Sequence, residues 1–275
     1  MFINVGEELK KARENTYALG AFNTNNLEAT KAICAAAKKC EKPIIIQTTP
    51  GAIEYAGLSQ IFNIIKTEIE ESGISAAIHL DHAKDFDVVK ECIDIGYRSV
   101  MIDGSKLSFE ENVALTRKVV DYAKPKNVSV EAEIGAIGSG EGGENSGEDR
   151  FSTPDEVKRF VELTGIDSVA VSIGNEHGAP EGEKINLSLL AEISKVVSIP
   201  LVLHGASGLS DDEIEAAIKL GIAKINIDTQ IRRAFIEGMR DIDPAAKDYR
   251  EILKKSMTNI EEVVINKIEL FSVDK

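Results

Sequence analysis

Eight times along 275 residues, a short apolar run gives way to an amphipathic stretch of helical length. The apolar runs are "YALGAFN" (17–23), "PIIIQT" (43–48), "AAIHL" (76–80), "RSVMID" (98–103), "VSVEAE" (128–133), "DSVAVSI" (167–173), "PLVLH" (200–204) and "AKINI" (223–227). Each has the length and apolar character of a buried strand. Helical stretches lie between them at 25–40, 58–72, 85–96, 107–124, 153–165, 187–197 and 210–221. Another follows the eighth run, and a last one spans roughly 247–270. Eight strand–helix units in a chain of this length predict an α/β fold, a (β/α)8 barrel over 1–275 as one domain. The rival is a doubly wound open sheet. It usually carries a glycine-rich dinucleotide loop after its first strand, and "AFNTNNLEA" has none.

The helix ends support these boundaries. "STPDEV" offers Ser152 or Thr153 as N-cap, Pro154 at N1 and acids in the first turn. "LSDDEI" repeats the device from Ser210. Gly96, Gly165 and Gly221 stand where helices give way to strands. One stretch fits neither element: "GAIGSGEGGENSGEDRFSTP", 135–154, is dense in Gly, Ser and acids and long for a βα loop. It reads as a mobile active-site loop, since barrels carry their chemistry on such loops, or else simply as disorder.

Hydrophobic residues make up 43% of the chain and charged residues 28%, enough for a full core. A net charge of −14 argues against unassisted binding to nucleic acid or an anionic membrane. No apolar run reaches the ~18 residues of a membrane-spanning helix. "MFINVGEELKKARENTY" reads as a short helix, not a signal peptide. Cys34, Cys40 and Cys92 form no CxxC pair and read as reduced thiols of a cytoplasmic protein.

A barrel of this kind works at the C-terminal ends of its strands. Those ends carry Asn23, Thr49, Asp81 with His82, Asp103, Glu131 with Glu133, His177, His204, and Asn226 with Asp228 and Thr229. Three of the four histidines therefore fall on one rim. Singly, each is as readily a satisfied polar residue at a strand end. Together they point to a metal site of three imidazoles with open positions, the catalytic pattern for Zn²⁺. In a regular strand His79 shares a face with Asp81, while Leu80 and His82 point the other way; His79 is assigned a structural role. "HGASG" offers the amides of Gly205, Ala206 and Ser207 for an anion, at a place where barrels often hold phosphate.

"HLDH", "SVMIDGS", "VSVEAEIG", "IPLVLHGASG" and "INIDT", in this order, resemble the class II, zinc-dependent ketose-bisphosphate aldolases, from "GAFN" to the C-terminal helix. The resemblance implies that His82, His177 and His204 bind zinc. It implies that Asp103 and Glu133 can hold the metal in a second position, and it allows a monovalent cation nearby. Asp81 matches the acid/base aspartate, and Glu141 a loop glutamate that handles a proton on the carbon acid. Gly178, Gly205, Ser207 and Asn226 to Thr229 match the cradle of the dihydroxyacetone-phosphate half. Thr49 matches the contact to the far phosphate. The partners implied are a phosphorylated ketose and further copies of the chain, as a homodimer or homotetramer. The sequence departs from the family in Asn175-Glu176 before His177, in Ala83 after "LDH", and in the loop after Glu141.

The chemistry suits these residues. Cleaving a ketose bisphosphate between C3 and C4 leaves a carbanion beside a ketone. Zinc held by neutral imidazoles keeps its charge and acts as a Lewis acid. Asp81, adjacent to a ligand, takes the C4 hydroxyl proton. Asp228 stands where fructose-type members tend to carry Asp and tagatose-type members a small apolar residue, so fructose-1,6-bisphosphate is favoured slightly over tagatose-1,6-bisphosphate. "TPGAIEYAG" leans toward the tagatose type. The rival readings are a different phosphorylated sugar or sugar acid on the same metal, a Schiff base on Lys224, and a non-catalytic phosphosugar-binding barrel.

Overall fold

A computed structural model describes residues 1–135, 138–139, 151–178, 184–240 and 247–272. The strands, in chain order, are β1 (Leu19–Asn23), β2 (Ile44–Thr48), β3 (Ala76–Ala83), β4 (Ser99–Ile102), β5 (Ser129–Ile134), the two-residue β6 (Gly138–Ser139), β7 (Ser168–Val171), the two-residue β8 (Glu176–His177), β9 (Leu201–Leu203) and β10 (Ile222–Ile227). All but β6 and β8 form one closed parallel barrel, with β1 bonded to β10. This is the (β/α)8 barrel that the alternation predicts. The short β6 and β8 pair with each other, so that Ser139 lies beside His177.

The helices are α1 (Val5–Glu14), α2 (Leu27–Cys40), α3 (Pro50–Ala56), α4 (Leu58–Ser72), α5 (Phe86–Ile95), α6 (Phe109–Ala123), α7 (Pro154–Thr164), α8 (Leu187–Val196), α9 (Asp211–Lys219), α10 (Thr229–Arg240) and α11 (Tyr249–Phe271). The expected helices are present within a few residues. Helix α3 was not anticipated, although its signals stand in the sequence: Thr49 caps it, accepting from Ala52 N at 3.2 Å, and Pro50 takes the first position. Ser210 and Glu213 form the expected capping box. Thr153, not Ser152, caps α7. Ser152 instead donates to Ile134 O at 2.6 Å and accepts from Ser172 N at 2.9 Å, tying the end of β5 to that of β7.

Strand residues alternate between two environments, as the period of two requires. Ile44, Ile46, Ile78, Leu80, Val100, Ile102, Val130, Ala132, Val169 and Val171 join the core between barrel and helices. A second, smaller core fills the N-terminal end of the barrel. There Leu19, Ala21, Ile45, Ala77 and Ala223 pack with Val5, Leu9 and Ala12 of α1. Arg13 fastens α1 to the adjoining loop, donating to Ser194 O at 2.9 Å, Val197 O at 2.8 Å and Ile199 O. With that end closed, the C-terminal end is left open for a site.

Candidate active site

A cleft of about 570 Å³ opens over the C-terminal ends of the strands. Asp81 and His82, at the end of β3, both line it. The sequence-based expectation that His82 points away from Asp81 is corrected here. The pairing of β3 with β4 shifts register between Leu80 and Ala83, and His82 takes φ +52°. A non-glycine residue rarely adopts that conformation, and a bulge re-aims the side chain that follows it. His82 N donates to Met101 Sδ at 3.4 Å, which helps to hold the turn. One strand end thereby presents a carboxylate and an imidazole side by side.

Three side-chain amides hold Asp81. Asn23 Nδ2 and Gln47 Nε2 donate to Oδ2, and Asn226 Nδ2 donates to Oδ1, all at 3.1 Å. Burial opposes its charge, but His82 and Lys224 outweigh burial and bring the carboxyl down to about 2. Gln47 also donates to Asn23 Oδ1 at 2.7 Å, so the donors are themselves fixed. Gln47 was missed by sequence reasoning; its signal was a lone amide inside the apolar run "PIIIQT".

His82 Nδ1 lies 3.6 Å from Asp103 Oδ2, and its Nε2 lies 3.9 Å from Asp81 Oδ1. Burial would lower its pKa, but Asp81, Asp103 and Glu133 raise it to about 9. Asp103 is fixed by the amide and hydroxyl of Ser105 at 3.1 and 2.7 Å. The His204 ring packs edge-on against His82, with centroids 4.5 Å apart. His204 Nε2 meets Glu131 Oε1 at 2.9 Å, and its Nδ1 lies 3.5 Å from Glu133 Oε2. Asn175 Nδ2 donates to His204 O at 3.0 Å. Asn175 therefore has a structural task that explains one departure in the segment before His177.

These donors fit a divalent transition metal. Asp81, His82 and His204 offer ligand atoms within 4.8 Å of one another, as do His82, Asp103 and Glu133. Glu133 Oε2 is buried and accepts no hydrogen bond among the described residues. Imidazole nitrogen and carboxylate oxygen are the donors that zinc takes. His177 enters only through its backbone, beside Ser139; its side chain lies outside what the structure describes. Glu141 also lies outside the described residues.

Asn23, Thr49, Gly178, Gly205, Ser207, Asn226, Asp228 and Thr229 all line the cleft, as the sequence suggests. Ala206 is fully buried beneath it. Gly205 has φ +65°, and a Cβ there would collide with the backbone of Glu176, so no other residue fits that turn. Asp228 Oδ2 pairs with Arg232 Nε at 3.2 Å. Arg232, Lys84 and Lys106 line the cleft and were not anticipated. Lys224 is fully buried in an ion pair with Glu131 at 2.8 Å, which accounts for it without a Schiff base. His79 is also fully buried, bonded to Ser99 Oγ at 2.7 Å, in keeping with its assigned structural role.

The family model described as fructose-bisphosphate aldolase class-II matches residues 3–275. A fructose-bisphosphate aldolase of Geobacillus stearothermophilus is 40% identical over 276 residues, covering 98% of this chain and 96% of that protein. A 6-phospho-5-dehydro-2-deoxy-D-gluconate aldolase of Bacillus licheniformis is also 40% identical, over 277 residues, 98% of this chain and 94% of the other. Among solved structures, the YdjI aldolase of Escherichia coli superposes with a TM-score of 0.88 at 30% identity, covering 100% of this chain and 98% of that one.

Proposed function

The chain belongs to the class II fructose-bisphosphate aldolase family and is a carbon–carbon lyase, and from that premise we propose that it cleaves a ketose 1,6-bisphosphate with the help of zinc. The observation that carries this reading is Asp81: a buried carboxylate gripped by three side-chain amides, one residue from His82 in the same cleft. Such a grip keeps a base ionised and aimed.

On this reading His82, His177 and His204 hold zinc, and Asp103 and Glu133 offer it a second position. When bound, zinc supplies Lewis acidity toward the ketone oxygen. The C3–C4 bond breaks with its electron pair left on C3, and the C4 hydroxyl gives its proton to Asp81 as the aldehyde forms. Glu141 delivers a proton to C3, which yields dihydroxyacetone phosphate beside glyceraldehyde 3-phosphate. Gly178, Gly205, Ala206, Ser207, Asn226 and Thr229 hold the dihydroxyacetone-phosphate half. Asn23 and Thr49 face the other half, and Asp228, next to the cradle, faces the C4 hydroxyl. The chain acts as a single-domain homodimer or homotetramer in the cytoplasm; its three cysteines are unpaired thiols, as a reducing compartment would leave them.

Fructose-1,6-bisphosphate is favoured slightly over tagatose-1,6-bisphosphate. A second reading, a phosphorylated deoxy sugar acid as substrate, is supported by the Bacillus licheniformis relative, since it is as similar as the fructose-type one. The test is a coupled cleavage assay with all three sugars, with and without added zinc. Preference for fructose-1,6-bisphosphate, lost on chelation, is expected. Preference for the sugar acid would move the chain to the second reading, and zinc-independent cleavage would remove the metal from the mechanism.

A further inference from the structure

Below the cleft, five polar side chains form a chain of contacts that ends on His204. Lys224 Nζ donates to Glu131 Oε2 at 2.8 Å and lies 3.3 Å from His79 Nε2. An ammonium has only donors, so His79 Nε2 accepts. Its proton then sits on Nδ1 and goes to Ser99 Oγ at 2.7 Å. On the other side, Glu131 Oε1 lies 2.9 Å from His204 Nε2. A carboxylate has only acceptors, so the proton of a neutral His204 sits on Nε2. Its lone pair is on Nδ1, the atom that faces Glu133.

We propose that Glu131, clamped by Lys224, is a positioning residue that fixes the tautomer and orientation of His204, so that Nδ1 is its metal-binding atom. The inference rests on the reading of His204 as a ligand. Each member has a part. Glu131 and Lys224 are at most 2% exposed, so water does not compete for their bonds. The lysine offsets the carboxylate's charge, so the clamp adds a fixed dipole and no net charge beneath the site. Asn175 holds the His204 backbone from the opposite side. A ligating histidine whose other nitrogen is held by a carboxylate keeps its ring in place for the metal.

The test has two arms. Nitrogen-15 spectra of the histidine-labelled, metal-free protein, taken at alkaline pH where His204 is neutral, should show its single ring proton on Nε2. Zinc affinity, measured by competition with a chelator, should fall about 10–100-fold in Glu131→Ala/Lys224→Met, the loss usual for a second-layer partner. That double variant avoids stranding one buried charge. Glu131→Gln/Lys224→Met restores an oxygen acceptor for Nε2–H and should recover most of the affinity. A neutral His204 with its proton on Nδ1 in the wild type, or undiminished zinc affinity in the Ala/Met variant, overturns the clamp. Should the double variants not fold, the wild-type spectra still decide. A wild type that binds no zinc overturns the metal reading itself, a different result.

Discussion

At the N-terminal end of the barrel, Ala21, Ile45 and Ala77 point into a small apolar core under α1. Two residues further along the same strands stand Asn23, Gln47 and His79, and β3 then carries Asp81 and His82 close to its end. The change takes place within about 7 Å of strand rise. At one end, burial of Leu9 and its neighbours supplies stability through area removed from water. At the other, Asn23, Asp81, Glu131, Glu133, His204, Lys224 and Asn226 are all buried polar groups. Such groups cost free energy unless they are bonded or hold a ligand. The polar end is tolerable because many of its members bond to one another. Among the atoms left over, Glu133 Oε2 and Asn226 Oδ1 belong to residues that line the cleft. The contrast implies that the two ends respond to different perturbations, one through folding and the other through chemistry.

The sharpest way to break that division is to remove the metal. Zinc is expected to supply several kcal/mol of charge stabilisation. With each 1.36 kcal/mol worth a factor of ten, chelation should cost at least about 10³ in kcat. Readdition of zinc should restore the rate. A metal-free protein that is fully active would show that the donors at the open end serve structure alone.

Next in size is Asp81→Ala. Zinc should remain bound, since His82 and His204 are untouched, while carbon–carbon cleavage slows by a factor on the order of 10²–10⁴. Proton exchange on dihydroxyacetone phosphate needs no C4 hydroxyl and should be largely spared. Equal loss in both assays would reassign Asp81 to binding or metal support.

The closed end supplies the complementary case. Leu9 is fully buried against the inner faces of the strands. Leu9→Ala should lower stability by about 2–5 kcal/mol through lost burial and a cavity. The midpoint of urea unfolding would read this loss. The rate per bound zinc should stay at the wild-type value below the transition. A drop in kcat in the folded variant would mean that the two ends are mechanically coupled.

The division also explains what was legible in the sequence. The eight strands and their helices were readable because burial on both faces leaves apolar runs of fixed length, and caps such as Ser210 mark the helix starts. Asp81, His82, Asp103, Glu133 and His204 were readable as polar residues at the ends of those runs, and the structure gathers them. Two features were not. The turn at His82 depends on a register shift against β4, a pairing that no local pattern specifies. The Ser99–His79–Lys224–Glu131–His204 chain joins residues of four strands to one just past the end of a fifth, and none of its spacings is local. Only the period of two within "VSVEAE" and "AKINI" hinted that Glu131 and Lys224 face inward with Glu133 and Asn226.

The smallest effect is expected at the edge of the open end, where solvent weakens what the interior enforces. Fructose- and tagatose-1,6-bisphosphate differ only at C4, and Asp228 at the cleft can accept from a sugar hydroxyl. Its side chain is 37% exposed and pairs with Arg232, so its charge is partly spent before a sugar arrives. A hydrogen bond to a charged group is worth about 1.5–3 kcal/mol, and exposure places this one at the low end. Asp228→Ala should therefore shift the ratio of kcat/KM for the two sugars toward tagatose-1,6-bisphosphate by about tenfold. Asp228→Asn, which keeps an acceptor but loses the charge, should shift it less. Both variants should keep zinc, because neither touches His82 or His204. A ratio unmoved by Asp228→Ala would place discrimination elsewhere on the rim. A wild type that already prefers tagatose-1,6-bisphosphate would show that a carboxylate at this position does not select for the fructose configuration.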